Sequence, residues 1–270
     1  MRAGRAAPVS GFASMPGLPV KHGKWSALAA CAVALTLVAA GEAARPGGRD
    51  QLRFIVQQQC VPHWRAATDP APCVSVTTLG GGSSPDGFAV LADRKGGAHF
   101  LLIPTRTITG IESPDVRAVD ALNYFDAAWK ARNVLANVVG HSVPRTAVGL
   151  AVNHLHARSQ DQLHIHISCV RRSVYEALQA GAAQIGPNWS PMSIEGWSYQ
   201  TRRVMGQQLG PANPFELLAE GVPGAKQAME RFTLLVAGMQ FKEGPGFVVL
   251  AGGSVPGAEL LLDPSCAVAS

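Results

Sequence analysis

The sequence predicts an α+β fold built on an antiparallel sheet, and two observations support this prediction. Short segments rich in apolar and β-branched residues indicate strands; they cover residues 88–91, 99–104, 147–153, 163–170, 232–239 and 247–251. Segments with apolar residues at helical spacing lie in separate blocks; they cover residues 50–59, 120–139, 172–183 and 215–219. Helices and strands in separate blocks favour an antiparallel sheet with flanking helices.

The clearest predicted helix covers residues 120–139. Apolar side chains recur there at helical spacing; they are Leu122, Phe125, Trp129, Val134 and Val138. Asp120 is placed to accept a hydrogen bond at the start of the helix, and Gly140 is placed to end it. We therefore expect one long amphipathic helix between these two residues.

The N-terminal part of the chain has the character of a targeting segment. Four basic residues precede an uncharged stretch, 25–41, that is rich in Ala, Leu and Val; they are Arg2, Arg5, Lys21 and Lys24. Such an order places the N-terminus in the cytoplasm and the following residues across the membrane. The sequence thus predicts a cytoplasmic basic N-terminus (1–24), a membrane anchor or cleavable signal segment (25–41), a linker (42–49) and a folded domain (50–270).

Composition excludes some classes of partner. The chain is 47% hydrophobic and 15% charged, with a net charge of +5. Arg and Lys never form a run longer than two, and aromatic residues make up only 6% of the chain. Because there is no basic stripe with interleaved aromatic residues, no nucleic-acid partner is expected. The scattered positive charge fits an anionic lipid surface or a phosphorylated small molecule better.

Cysteine usage agrees with export. Besides Cys31, four cysteines remain, and an even number in an exported domain indicates two disulfides. Cys60 and Cys73 bracket a proline-rich loop and are the natural local pair, which leaves Cys169 for Cys266. Three connectivities are possible, and four reduced thiols are the alternative.

The segment 162–168, with sequence Gln-Leu-His-Ile-His-Ile-Ser, carries the most chemical information. Its polar and apolar residues alternate, so Gln162, His164 and His166 are expected on one face of a strand. An imidazole at such a position can attack phosphorus, transfer a proton near neutral pH or bind a metal. Amide and hydroxyl donors for a phosphate lie nearby in sequence, at Asn153 and Ser159.

Two other interpretations of the histidines stay open. One is a pair of hydrogen-bonded histidines in the core. The other is a zinc site, because a second His-x-His pair, His154 and His156, precedes the first. A zinc-dependent phosphohydrolase using these four histidines, and a non-enzymatic periplasmic protein that binds lipid or metal, are therefore the alternative functions.

The segment resembles the active strand of the histidine-triad superfamily, in which three histidines alternate with apolar residues. Four further stretches narrow the resemblance to the CDP-diacylglycerol pyrophosphatase family; they are 99–106, 109–114, 147–153 and 213–220. The resemblance covers about residues 50–270 and implies that this domain is the histidine-triad-like catalytic domain. It implies a histidine-triad-like antiparallel sheet with flanking helices, preceded by one N-terminal membrane-anchor helix.

This family resemblance also implies a reaction and roles for residues. CDP-diacylglycerol would be hydrolysed to CMP and phosphatidate at a bacterial inner membrane, with the catalytic domain in the periplasm. His164 would attack phosphorus to form a transient cytidylyl-histidine, with His166 as donor and Ser159 assisting the leaving oxygen. No metal or cofactor is implied, and the oligomeric state is left open.

Three residues are expected to bind or orient the substrate. Asn153 is predicted to hold His164 through its second ring nitrogen, and Arg106 lies in one of the matching stretches. Gln162 stands where the superfamily has its first histidine; an amide can donate to a phosphate but cannot carry a proton as imidazole does.

The two acyl chains of such a substrate need an apolar path to the site. Candidates are Trp189, Met192, Ile194 and Trp197, for which packing in the core is the alternative interpretation.

Overall fold

A computed structural model of the protein describes residues 48–80 and 86–270. Within these ranges ten strands form one sheet. They are β1 Ser75–Thr78, β2 Gly87–Ala92, β3 Phe100–Pro104, β4 Val148–Val152, β5 Ile165–Val170, β6 Ser190–Ile194, β7 Trp197–Met205, β8 Thr233–Phe241, β9 Gly244–Gly252 and β10 Leu262–Asp263. Their order is β1-β2-β3-β5-β4-β8-β9-β7-β6, with β10 paired to the end of β5. Every pairing is antiparallel, which confirms the predicted class.

Helices lie on both faces of this sheet. They are α1 Gln51–Ile55, α2 Val61–Ala67, α3 Tyr124–Ala131, α4 Ala136–Val139, α5 Arg172–Gly181 and α6 Pro214–Gly221. A π-helical turn, Val56–Cys60, joins α1 to α2, so the first helical segment continues beyond the predicted end at residue 59.

The sheet separates its apolar side chains into three clusters. On one face Ile165 and Ile167 of β5 pack with Phe125 and Trp129 of α3. On the other face a second cluster lies under α5, and a third joins α1 and α2 to β2 and β3. His166 of β5 also points to this second face, because side chains alternate along a strand. The face that carries His166 is therefore covered by two separate apolar clusters.

The prediction of one helix over residues 120–139 is wrong in two respects. The helix begins at Tyr124, where the side chain of Asn123, not of Asp120, accepts the hydrogen bond from the N–H of Asp126 at 3.1 Å. A 3₁₀ turn, Arg132–Leu135, then separates α3 from α4. The predicted end is confirmed: Gly140 follows α4 with a φ of 85°, a left-handed conformation that glycine adopts without a Cβ clash.

Four strands were not predicted from the sequence: β1, β6, β7 and β10. Pro191 lies inside β6, and a proline usually argues against a strand. The structure explains the exception because β6 is the last strand of the sheet. An edge strand has no partner on its outer side, so a proline whose nitrogen faces that side removes no hydrogen bond of the sheet. Strand β7 carries Arg202 and Arg203 and so lacks a clear apolar pattern.

The predicted N-terminal organisation lies almost wholly outside the described residues. This applies to the segments 1–24 and 25–41 and to residues 42–47 of the linker. Among the described residues, no helix combines the length and apolar character needed to cross a membrane.

Both predicted disulfides are present. Cys60 of the π-helical turn is bonded to Cys73, and Cys169 of β5 is bonded to Cys266 near the C-terminus. The first closes a loop of 13 residues and the second a loop of 97. The second bond therefore ties the C-terminal segment to the strand that carries His166.

The two disulfides should differ in their effect on stability. In the chain-entropy model a loop of about 100 residues contributes about 4.7 kcal/mol and one of about 15 residues about 3 kcal/mol. We expect the C169A/C266A protein to lose more free energy of unfolding than the C60A/C73A protein, as measured by urea denaturation. A larger loss in the C60A/C73A protein would contradict this.

Candidate active site

The two histidines of the 162–168 segment lie close together where β5 begins. His166 is paired with Leu101 of β3 on one side and with Ala151 of β4 on the other. His164 directly precedes β5, and its ring centroid is 5.0 Å from that of His166. Both side chains are buried, yet both line a cleft of about 250 Å³. The cleft lies between the two apolar clusters of this face.

The orientation of the His164 ring is set by a main-chain carbonyl two residues earlier in the chain. Nδ1 of His164 lies 2.7 Å from the carbonyl oxygen of Gln162. A carbonyl oxygen can only accept, so Nδ1 carries the proton and donates it. The other nitrogen, Nε2, then has an unprotonated lone pair available to the cleft. The expectation that Asn153 orients His164 is wrong, because the carbonyl of Gln162 has this position.

Burial keeps both imidazoles neutral. It lowers the pKa of His164 below the usual 6.5, although the hydrogen bond to Gln162 and the charge of Glu259 raise it in part. Burial also lowers the pKa of His166 well below 6.5, and the neighbouring His164 and His99 act in the same direction. A neutral imidazole is the form that can act as a nucleophile near pH 7.

His166 lies between a third histidine and a carboxylate. Its Nδ1 is 2.9 Å from Nε2 of the buried His99, and its Nε2 is 3.6 Å from Oε2 of Glu259. We assign the proton between the two rings to His99, which leaves the proton of His166 on Nε2, facing the carboxylate. In this arrangement Nε2 of His166 is a buried N–H without a hydrogen-bond partner, and its role as a donor to the substrate stays a prediction.

Asn153 holds Glu259 at the edge of the cleft. Its amide nitrogen donates to Oε2 of Glu259 at 3.2 Å, and its oxygen accepts from the N–H of Glu259 at 3.1 Å. The ammonium of Lys95 pairs with the other oxygen of Glu259. Asn153 does not itself line the cleft; it positions a carboxylate that does.

Gln162 and Arg106 make contacts behind the cleft. Gln162 is fully buried, and its amide donates to the carbonyls of Pro104 at 3.1 Å and of Arg106 at 2.9 Å. The guanidinium of Arg106 pairs with Asp86 at 3.3 Å. Neither side chain is among those that line the cleft with His164, so their binding of substrate stays a prediction.

Ser159 lines the cleft from the loop between β4 and β5. The next residue, Gln160, ties this loop to the start of α1, since its Oε1 accepts from the N–H of Leu52 at 3.0 Å. The preceding residue, Arg158, is buried and donates to both carboxylate oxygens of Glu112, at 2.6 and 2.8 Å. The loop is therefore fixed on both sides of Ser159.

The four histidines of the zinc hypothesis do not come together. His154 and His156 lie in the loop after β4, where the N–H of His156 donates to Nδ1 of His154. Within residues 48–80 and 86–270, one group of three or more metal-ligating side chains has its ligand atoms within 4.8 Å of one another, and it consists of Asp93, His99 and His166.

Comparison with known proteins now adds to this geometry. The family model described as CDP-diacylglycerol pyrophosphatase matches residues 47–270. A protein of Yersinia pestis named CDP-diacylglycerol pyrophosphatase is 40% identical over 220 residues, which cover 80% of this chain and 83% of that protein. The chain belongs to the CDP-diacylglycerol pyrophosphatase family. The family resemblance expected from the sequence is thereby confirmed.

Three side chains at the cleft or in contact with His166 were not predicted from the sequence. His99 lay within a predicted strand and a matching stretch, but nothing local related it to His166. Lys95 belonged to a predicted turn, and Glu259 to a segment without any pattern. All three reach the cleft or His166 only through the register of β3 with β5 and the return of the C-terminal segment.

Two arginines that share Asp161 provide a test of how the loop is held. Arg158 is buried, whereas the side chain of Arg49 is 47% exposed and donates to both Asp161 oxygens. We expect R158A to cost about 3 kcal/mol in free energy of unfolding, because it leaves Glu112 without its partner. R49A should cost clearly less, because its ion pair with Asp161 is exposed to solvent and screened. Urea denaturation measures both; equal losses would contradict the assignment.

Proposed function

We propose that this protein hydrolyses the pyrophosphate of CDP-diacylglycerol to CMP and phosphatidate. Membership of the CDP-diacylglycerol pyrophosphatase family and the Yersinia pestis relative of that name support the substrate. The observation that carries the proposal is the neutral imidazole of His164, whose Nε2 lone pair is free in a cleft while Nδ1 is held by a main-chain carbonyl.

The first step is attack of Nε2 of His164 on the phosphorus attached to cytidine. A P–N bond forms and the P–O bond to the phosphatidate half breaks, so phosphatidate leaves with the bonding electron pair. The N–H of His166 and the hydroxyl of Ser159 stabilise the charge on the phosphate oxygens, and Ser159 assists the leaving oxygen. Lys95 offsets the negative charge of Glu259, which the anionic substrate would otherwise meet.

The second step is hydrolysis of the cytidylyl-histidine. Water attacks the phosphorus, the P–N bond breaks, and CMP leaves while His164 recovers its lone pair. Glu259 is a carboxylate at the edge of the cleft that can accept the proton released by the water.

The proposal includes a place for the enzyme. Two disulfides in the described residues support an oxidising compartment, since such bonds persist outside the cytosol. The basic residues followed by the apolar stretch 25–41 support anchoring in the bacterial inner membrane with the catalytic domain in the periplasm. An enzyme attached in this way meets its lipid substrate in the plane of the membrane.

A metal-dependent phosphohydrolase is the second candidate function. The close approach of Asp93, His99 and His166 favours it over the site with four histidines. Against it stands the 2.9 Å hydrogen bond between His99 and His166, which already uses one nitrogen of each ring.

Quench-trapping separates these functions. The protein is mixed with CDP-diacylglycerol labelled at the cytidine-linked phosphorus, with a chelator present, and stopped with base. We expect base-stable, acid-labile label on the protein and CMP as product, and neither from H164A. H156A is the matched control and should retain both. If CMP forms only after zinc is restored, the metal-dependent function is correct; if CDP-diacylglycerol is bound but not turned over, the protein is not this enzyme.

The pH dependence should report the pKa of His164. Activity requires the neutral imidazole, and burial lowers its pKa, so kcat/KM should fall only as the pH drops below about 6.5. Glu259 raises this pKa, so E259Q should move the midpoint to lower pH. E195Q, at an exposed turn between β6 and β7, should leave the midpoint where it is. A midpoint unchanged in E259Q would contradict the proposed electrostatic contact.

A further inference from the structure

The cleft beside His164 has two chemically different walls. One wall is apolar and is formed by α1 with strands β2 and β3; its residues are Leu52, Ile55, Leu91 and Leu101. The other carries Asp93, Lys95 and Glu259. The apolar wall is the surface that the proposed reaction does not use.

The strand register places the apolar wall directly beside the reacting histidines. Leu91 of β2 is paired with Leu101 of β3, and Leu101 is paired with His166 of β5. Directly paired residues point to the same face of a sheet. Leu91, Leu101 and His166 therefore form a continuous row, and a molecule bound at the histidines that extends toward β2 lies on leucine side chains.

Helix α1 completes this wall and is held by polar contacts at its start. Gln160 accepts from the N–H of Leu52 and donates to the carbonyl of Gly48, both at 3.0 Å. Leu52 is buried in the same apolar cluster as Leu101, whereas Ile55 and Leu91 stay half-buried. Two apolar side chains at the cleft thus keep exposed surface that a ligand can cover.

We propose that this apolar wall binds the glycerol and the first acyl carbons of the lipid half of the substrate. The proposal rests on the proposed function, because it takes CDP-diacylglycerol as the molecule whose phosphorus lies at His164. Such a substrate has one half with hydrogen-bonding base and sugar groups and one half that is apolar beyond the glycerol. The side chains of Leu52, Ile55 and Leu91 offer aliphatic surface. Burying apolar surface against them lowers the free energy more for the lipid half than for the polar nucleotide half.

The size of the cleft limits how much lipid it can hold. Its volume of about 250 Å³ lies below the range of about 300–1,000 Å³ that is usual for pockets enclosing a whole drug-sized ligand. Only the glycerol and the nearest acyl carbons are therefore bound by the protein. The remainder of each chain stays outside the cleft.

The aromatic residues considered from the sequence do not offer this path. Trp189, Met192, Ile194 and Trp197 lie on or next to the β6–β7 hairpin; in the sheet order β7 is four strands from β5 and β6 is five. At about 4.8 Å per strand, four to five strands correspond to roughly 19–24 Å along the sheet. None of them lines the cleft, and Ile194 is buried in the core.

The test compares two soluble substrates that differ only in their acyl groups. CDP-glycerol has none, and CDP-dihexanoylglycerol has two short chains and is used below its micelle concentration. For each protein the ratio of kcat/KM for the acylated to the bare substrate is measured by CMP release. The variants are I55Q and L91Q, which replace wall residues with a polar side chain of similar length. The control is W197Q, which removes a half-exposed aromatic side chain far from the cleft.

We expect the wild-type ratio to be well above one and to fall about tenfold in I55Q and in L91Q, and to be retained in W197Q. Equal losses on both substrates would overturn the proposal, since the wall would then hold the nucleotide or support the fold. An unchanged ratio in both variants, or a loss in W197Q, would overturn it as well. Absence of CMP from the wild-type protein with either substrate would instead contradict the proposed function.

Discussion

Two neutral histidines buried between apolar clusters are the constraint on which the site depends. His166 is paired with Leu101 on one neighbouring strand and with Ala151 on the other, and His164 lies two residues earlier in the chain. Burial in such surroundings disfavours the charged imidazolium. The same packing that closes the core therefore supplies the unprotonated nitrogen that the proposed reaction needs, and no neighbouring base has to create it.

The site is assembled from parts of the chain that are distant in sequence. Strand β5 provides the histidines, the segment after β2 provides Lys95, and the C-terminal segment provides Glu259. The Cys169–Cys266 bond and the pairing of β10 with β5 hold that C-terminal segment against the strand that carries His166. A carboxylate near the chain end is thereby fixed beside a ring near its middle.

The sequence predicted the parts of the protein whose signal is local. The strands flanking His166, the helix end at Gly140 and both disulfides were predicted because alternation, a terminating glycine and a bracketed loop can each be read within a few residues. The contact between His166 and Glu259 could not be predicted in this way, since it depends on which strands pair and in what register. Strand β6 was missed for a related reason: its proline is tolerated only because β6 lies at the sheet edge.

Gln162 shows that a position can serve this site through its main chain. The side chain faces two carbonyls, of Pro104 and Arg106, and an amide nitrogen has two protons with which to satisfy both. A neutral imidazole has one N–H and could satisfy only one of them. The carbonyl of the same residue accepts the proton of His164 and leaves Nε2 free. Because this second contact needs no particular side chain, the orientation of the proposed nucleophile does not depend on whether residue 162 is glutamine or histidine.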